Sequence, residues 1–181
     1  FTSKYEGLFA IVDGNSGKIY IDPDESTITR FKEIKKTDDS QKSHLEEFRG
    51  KITVTRSGRK INLYANSGSL ADIDLIKASD AEGIGLFRSE YIFMQAHDYP
   101  TEDYQLDIYK NVLEQMEGKK VIIRTLDIGA DKTAEYFMLK PEDNPAMGVR
   151  AIRLCLQNKA IFKTQLRALY RASVYGNLSI M

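Results

Sequence analysis

Three arginines supply the chemistry that this sequence suggests. Arg88 and Arg124 each follow a short apolar run, and Arg150 lies near a predicted helix start. An arginine presents a rigid, permanently charged fork that binds phosphate or carboxylate through two parallel hydrogen bonds. If the apolar runs are parallel strands, Arg88 and Arg124 lie at the carboxyl edge of a sheet, where α/β proteins bind ligands. The pattern therefore indicates a small ligand with more than one anionic group.

The charges around these arginines need balancing. Side chains on neighbouring strands lie only about 5 Å apart, so two arginines there repel each other unless an anion or a carboxylate lies between them. Glu90 and Asp127 are the candidate carboxylates. Arg150 follows Gly148 near a helix start, where free backbone N–H groups also favour anions. A structural ion pair between Arg150 and Asp143 is the alternative.

Other residues with possible chemistry are less specific. Lys132 can either reach a phosphate or be a solvated loop lysine, and Cys155 lies in a helical run where core packing is favoured over nucleophilic chemistry. Residues 83–85 form a lone GxG, which lacks the third glycine of a dinucleotide site and is typical of a closely packed strand. His44 and His97 are predicted to be an exposed helix residue and a loop residue, respectively.

Composition excludes some classes of protein. The 181 residues carry 26 Lys and Arg against 26 Asp and Glu, which argues against a nucleic-acid-binding module but permits a local anion site. The single cysteine excludes an internal disulfide and is compatible with a reducing compartment. Since no apolar run approaches the roughly 18 residues of a membrane span, we expect no insertion into a membrane, and the single cysteine agrees with a cytoplasmic location.

The elements that must position the arginines change along the chain. Residues 8–21 predict a β-hairpin around a turn rich in Gly, Asn and Ser. Residues 26–49 are rich in charge and lack Gly and Pro, which predicts a solvated linker helix or helix pair.

The remainder alternates between strands and helices. Strands are predicted at 60–65, 83–87, 121–123 and 178–181, and helices at 70–79, 101–117, 148–157 and 159–175. This order predicts an α/β fold with a parallel sheet. Because the last predicted strand is interrupted by the end of the chain, we expect the sequence to be an internal fragment.

Five segments of the chain resemble, in order, the Enzyme I family of the bacterial sugar phosphotransferase system, the phosphoenolpyruvate-protein phosphotransferases: AEGIGLFRSEYIFM, PTEDYQLDIYKNVL, VIIRTLDIGADK, EDNPAMGVRAIR and QLRALYRASVYGNLSIM. The resemblance implies three parts. Residues 1–25 correspond to the C-terminal tail of a swivelling phosphohistidine domain, and residues 26–52 to a helical linker. Residues 53–181 correspond to the N-terminal part of a phosphoenolpyruvate-binding (β/α)8 barrel of the TIM type.

The resemblance also implies a function. Arg88 and Arg124 bind phosphoenolpyruvate, with Arg150 as a third contact. The phosphoryl group then passes to a histidine of the swivelling domain and on to the carrier protein HPr, with Mg²⁺ assisting, in a homodimeric enzyme. Neither His44 nor His97 matches the active histidine. The metal carboxylates and the catalytic cysteine are expected outside these 181 residues, so the fragment alone is expected to be inactive.

Two alternatives remain open at this point. Pyruvate phosphate dikinase and phosphoenolpyruvate synthase share the GLFRSE-type motif, although TLDIGADK resembles Enzyme I more closely. The other alternative is a non-catalytic regulatory protein that keeps the barrel fold.

Overall fold

The computed structural model describes residues 3–129, 132 and 134–181. The chain divides into two compact units, Phe1–Lys51 and Ile52–Met181. None of the described helices is both long and apolar enough to cross a membrane.

The first unit contains a hairpin and a long helix. After a short 3-10 turn at Ser3–Tyr5, strands β1 (Ala10–Asp13) and β2 (Lys18–Ile21) pair antiparallel. The turn between them is closed by Asp13, whose carboxylate accepts hydrogen bonds from the backbone N–H of Asn15 at 3.0 Å and of Ser16 at 3.3 Å.

The charge-rich segment forms one helix, α1 (Glu25–Glu46), and not a helix pair. Asp24 caps its start by accepting a 2.8 Å hydrogen bond from the backbone N–H of Thr27. No residue of α1 is buried, which agrees with the prediction of a solvated helix.

The second unit is built on a parallel sheet. Its strands are β3 (Ala65–Ser67), β4 (Gly83–Arg88), β5 (Lys120–Arg124) and β6 (Leu178–Ile180), in the spatial order β3-β4-β5-β6. All three pairings are parallel, so the predicted mixed α/β class with a parallel sheet is confirmed.

Helices connect these strands and cover the sheet. They are α2 (Ile73–Ala78), α3 (Glu90–Met94), α4 (Glu102–Gln115), α5 (Ala151–Gln157) and α6 (Lys159–Ala172), with 3-10 turns at Leu70–Asp72, Glu135–Phe137 and Ser173–Tyr175. Thr101 caps α4 through a 3.3 Å hydrogen bond from the backbone N–H of Tyr104. Apolar residues of the sheet and helices pack together to form the core, which includes Ile73, Ile84, Phe87, Val112, Val121, Ile123 and Leu169.

Several element boundaries differ from the sequence prediction, and two elements start clearly later than predicted. The strand expected at residues 60–65 is β3, which starts only at Ala65, because residues 60–64 lack a pairing partner in the sheet; their ladder contact is one isolated bridge between Lys60 and Val54. The helix expected from residue 148 begins at Ala151.

The glycines of β4 are required by close packing, as predicted. A Cβ atom at Gly83 would lie 2.3 Å from the carbonyl oxygen of Lys120, and one at Gly85 would lie 2.8 Å from Cβ of Tyr64. Side chains at these positions would push apart β4 and the chain on either side of it.

Candidate anion-binding site

The two strand-end arginines lie side by side. Arg88 is the last residue of β4, Arg124 is the last residue of β5, and the two are register partners in the parallel ladder. Adjacent strands are about 4.8 Å apart. The sequence therefore placed both residues correctly at the carboxyl edge of the sheet, where α/β proteins build ligand sites.

Two carboxylates separate the positive charges near Arg124. Glu90, at the start of α3, is fully buried; its Oε1 contacts Arg124 Nη2 and lies 2.5 Å from Lys132 Nζ. Asp127 Oδ2 lies 3.1 Å from Arg124 Nη1, and its Oδ1 accepts a 2.9 Å hydrogen bond from Arg150 Nη2. We call Lys132, Glu90, Arg124, Asp127 and Arg150 the ion-pair chain.

This arrangement decides three expectations from the sequence. Glu90 and Asp127 do lie between the basic groups. Arg150 pairs with Asp127, so the alternative prediction of an ion pair with Asp143 is wrong. Lys132 is not a solvated loop lysine, because its side chain is only 19% exposed and binds Glu90.

The site carries excess positive charge. Among the described residues, the three bases of the ion-pair chain and Arg88, the register partner of Arg124, outnumber the two carboxylates of the chain by two positive charges. Arg124 and Arg150 are only 23% and 22% exposed, and charges interact more strongly where water is partly excluded. The surplus favours a ligand with about two negative charges.

Three buried polar atoms at the site have no hydrogen-bond partner among the described residues. They are the Nε atoms of Arg88 and Arg124 and Oε2 of Glu90. The Arg88 guanidinium lies over the ring of Tyr91, 4.9 Å from its centroid. Leaving a buried polar atom unpaired costs about 1–3 kcal/mol, and unpaired buried polar atoms are unusual enough to mark a candidate functional site.

The backbone brings Arg150 close to the loop after β5. Gly129 has φ +130°, and a Cβ atom there would lie 2.5 Å from Cβ of Arg150. Ala151 adopts the left-handed region with φ +46° and donates its N–H to the carbonyl oxygen of Ile128 at 3.2 Å. A strained non-glycine residue beside a charged cluster is a common feature of ligand sites.

A buried polar layer lies beneath the strand ends and consists of Ser89, Gln105, Tyr109 and Gln165, all fully buried. Sequence analysis did not identify these residues. For Gln165 a signal existed, because it lies on the apolar stripe of α6 with Ala168, Leu169 and Ala172. A polar residue on such a stripe is buried and must find hydrogen-bond partners.

The remaining candidates are not members of the ion-pair chain. Cys155 is buried in α5; burial, and then the charge of Asp127, raise the pKa of its thiol to about 11, so the packing role is confirmed. His44 is exposed and lies 3.4 Å from Glu47, and His97 is exposed in a loop. Two residues of the VIIRTLDIGADK segment, Ala130 and Asp131, lie outside the described residues.

Comparison with known proteins gives consistent matches. The family model for the PEP-binding domain of PEP-utilising enzymes matches residues 42–181. The phosphoenolpyruvate-protein phosphotransferase of Bacillus subtilis is 46% identical over 175 residues, which cover 97% of this chain and 31% of that protein. Those of Geobacillus stearothermophilus and Listeria monocytogenes are 47% and 44% identical, over 97% and 94% of this chain and 30% of each relative. The chain thus spans about a third of the length of these relatives.

Proposed function

Because this chain belongs to the PEP-utilising enzymes through their PEP-binding domain, we propose that the anion site on its sheet binds phosphoenolpyruvate. The observation that carries the proposal is the pairing of Arg88 with Arg124 at the ends of β4 and β5. Phosphoenolpyruvate has a phosphate and a carboxylate, and each suits the fork of an arginine.

Each basic residue has a role in this proposal. Arg88 and Arg124 contact the ligand directly, because they end neighbouring strands at the carboxyl edge of the sheet, where α/β proteins bind ligands. Arg150 is a third contact, held by Asp127 at 2.9 Å. Lys132 adds positive charge beside Arg124 through the shared Glu90.

We further propose the architecture that surrounds this site. The four parallel strands of residues 53–181 form the N-terminal part of a (β/α)8 barrel, which has eight strands when closed. Residues 26–52 are its linker, and residues 1–25, which include the β1–β2 hairpin, are the tail of a swivelling phosphohistidine domain.

For the whole protein we propose phosphoenolpyruvate-protein phosphotransferase activity, the name that the three relatives carry. The phosphoryl group passes from phosphoenolpyruvate to a histidine and then to HPr, in a homodimeric cytoplasmic enzyme that serves sugar uptake. Phosphoryl transfer depends mainly on positioning and on neutralising the phosphoryl oxygens, which are tasks that the arginines perform. The names of these relatives favour this activity over that of a dikinase, a synthase or a regulatory barrel.

We propose no Mg²⁺ ligands among the described residues. They contain no group of three His, Cys, Asp or Glu residues that could hold a metal ion. The two carboxylates at the site, Glu90 and Asp127, are already bound by basic side chains. The resemblance to Enzyme I is what supports our proposal that the magnesium ligands lie outside these 181 residues.

Calorimetric titration of the full-length protein with phosphoenolpyruvate tests the binding proposal. Arg88→Gln and Arg124→Gln should each weaken binding roughly ten- to hundredfold, since a hydrogen bond to a charged group contributes about 1.5–3 kcal/mol. Arg167→Gln is the matched control, because Arg167 is paired with Glu102 away from the strand ends. Equal affinities for the wild type and both site variants would refute this assignment.

A second experiment tests the proposed reaction. Full-length protein incubated with phosphoenolpyruvate labelled in the phosphoryl group should carry the label on a histidine and transfer it to HPr. Binding without histidine labelling would retain the ligand but reject the phosphotransferase activity.

A further inference from the structure

A buried glutamine on α6 connects the ends of the two strands that carry the paired arginines. Gln165 Nε2 donates to Ser89 Oγ at 2.9 Å, and Gln165 Oε1 accepts from the backbone N–H of Leu126 at 2.8 Å. Ser89 directly follows Arg88, and Leu126 lies two residues after Arg124. One side chain therefore bonds to both segments that follow the arginines.

Ser89 extends this connection to Arg124 itself. Its hydroxyl accepts from Gln165 and donates to the carbonyl oxygen of Arg124 at 2.6 Å. The end of β4 is thus joined to the end of β5 by a side-chain hydrogen bond in addition to the ladder between the strands.

The orientation of the Gln165 amide is fixed by its surroundings. Its second N–H donates to Tyr109 Oη at 3.2 Å, and Tyr109 donates to Gln105 Oε1 at 3.1 Å. If the amide were flipped, its NH₂ group would face the N–H of Leu126, donor against donor. Burial raises the pKa of Tyr109, so its hydroxyl keeps the proton that it donates.

We propose that Gln165 is a positioning residue for the anion site: it holds the two strand ends in the relative position that lets Arg88 and Arg124 contact one ligand. The identity of that ligand, phosphoenolpyruvate, rests on the function proposed above. Displacing a ligand-binding group by about 1 Å can cost on the order of a hundredfold in activity. Loss of the fixed spacing between the two arginines should therefore have a measurable effect.

The test compares Gln165→Met with Gln105→Met in the full-length protein. Gln105 is the matched control because it is equally buried in the same layer but bonds Pro100 and Tyr109 and contacts neither strand end; without it, Tyr109 Oη can still accept from Gln165 Nε2. We expect Gln165→Met to raise the Kd for phosphoenolpyruvate at least tenfold and Gln105→Met to raise it less than twofold, although both lower the melting temperature. An equal loss of affinity in the two variants would show a merely structural role and overturn the proposal.

Two further measurements test the positioning role of Gln165: a milder variant, Ser89→Ala, and amide exchange without ligand. The exchange measurement does not depend on the proposed identity of the ligand. Ser89→Ala removes one hydroxyl and should weaken binding about threefold; combined with Gln165→Met it should add little, because both act through the same connection. Amide exchange at Leu126 should speed up at least tenfold in Gln165→Met and stay unchanged in Gln105→Met. If the wild type binds no phosphoenolpyruvate but exchange follows this pattern, the proposed ligand is wrong and the positioning role stands. Unchanged exchange at Leu126 would refute the positioning role.

Discussion

Replacing the buried carboxylate of the ion-pair chain provides a quantitative test of the site's electrostatics. Glu90→Gln keeps the size of the side chain but removes the charge that Arg124 and Lys132 share. Removing one partner of a buried ion pair costs about 3–5 kcal/mol, because the remaining charge is left uncompensated. Since Arg124 keeps its contact with Asp127 at 3.1 Å and is 23% exposed, we expect the lower end of that range, about 3 kcal/mol.

Native-state amide exchange measures this loss within the second unit of the full-length protein. A loss of about 3 kcal/mol should accelerate exchange of the slowest amides in β4 and β5 roughly hundredfold. Glu102→Gln is the matched control, because Glu102 also binds two basic groups, Arg167 and Arg171, each at 2.7 Å. Those arginines are 62% and 47% exposed, so water can replace the lost contacts and the exchange rates should hardly change.

High salt should further distinguish the effects of the two variants on amide exchange. At an ionic strength of about 1 M the screening length falls to about 3 Å, so any effect of Glu102→Gln should vanish while that of Glu90→Gln persists. Exchange in Glu90→Gln at the wild-type rate, or equal acceleration in both variants, would refute the conclusion that Glu90 compensates buried positive charge.

Two further predictions address the loop after β5 and the buried thiol. Gly129→Ala should weaken phosphoenolpyruvate binding, because the new Cβ would lie 2.5 Å from Cβ of Arg150. Gly118→Ala is the control: Gly118 also has a positive φ but has open space around it, so this variant should lower stability without changing affinity in the same titration. Equal affinities of the two variants would contradict the steric argument. Because burial first and the charge of Asp127 second raise the pKa of Cys155 to about 11, the folded state keeps a proton that the unfolded state releases, so the free energy of unfolding should fall as the pH rises from about 9 to about 11. Urea titrations across this range should show that the fall is absent in Cys155→Ala, and a fall of the same size in that variant would assign it to other groups.

The location of the site was predictable from local patterns. Arg88 and Arg124 end short apolar runs, and parallel neighbours bring their carboxyl ends to one edge. Ile73 and Ile76 of α2, three residues apart on one helical face, are likewise buried.

The partners of the basic residues were harder to predict because they depend on tertiary contacts. Glu90 lies two residues after Arg88 but binds Arg124 and Lys132, and its five-residue helix is too short to reveal which way it faces. Arg150 binds Asp127, which is more distant in sequence than Asp143, because Gly129 allows the two segments to approach.

The start of β3 was misplaced for a related reason. Residues 60–65 have the composition of a strand, but a strand exists only where a neighbour offers hydrogen bonds. Pairing with β4 begins at Ala65 opposite Ile84, and no local pattern specifies that register.

The order of three consecutive residues, Arg88 at the end of β4 and then Ser89 and Glu90, limits how this site can change. Arg88 contributes a guanidinium group, Ser89 binds the carbonyl oxygen of Arg124, and Glu90 binds its side chain. Two residues that are adjacent to each other in the sequence therefore hold Arg124: Ser89 at its backbone carbonyl and Glu90 at its guanidinium group. An insertion or deletion of one residue between Arg88 and Glu90 would release both contacts together, whereas most point substitutions would affect only one. Grafting the arginine pair onto another parallel sheet would therefore require Ser89 and Glu90 to be transferred with it.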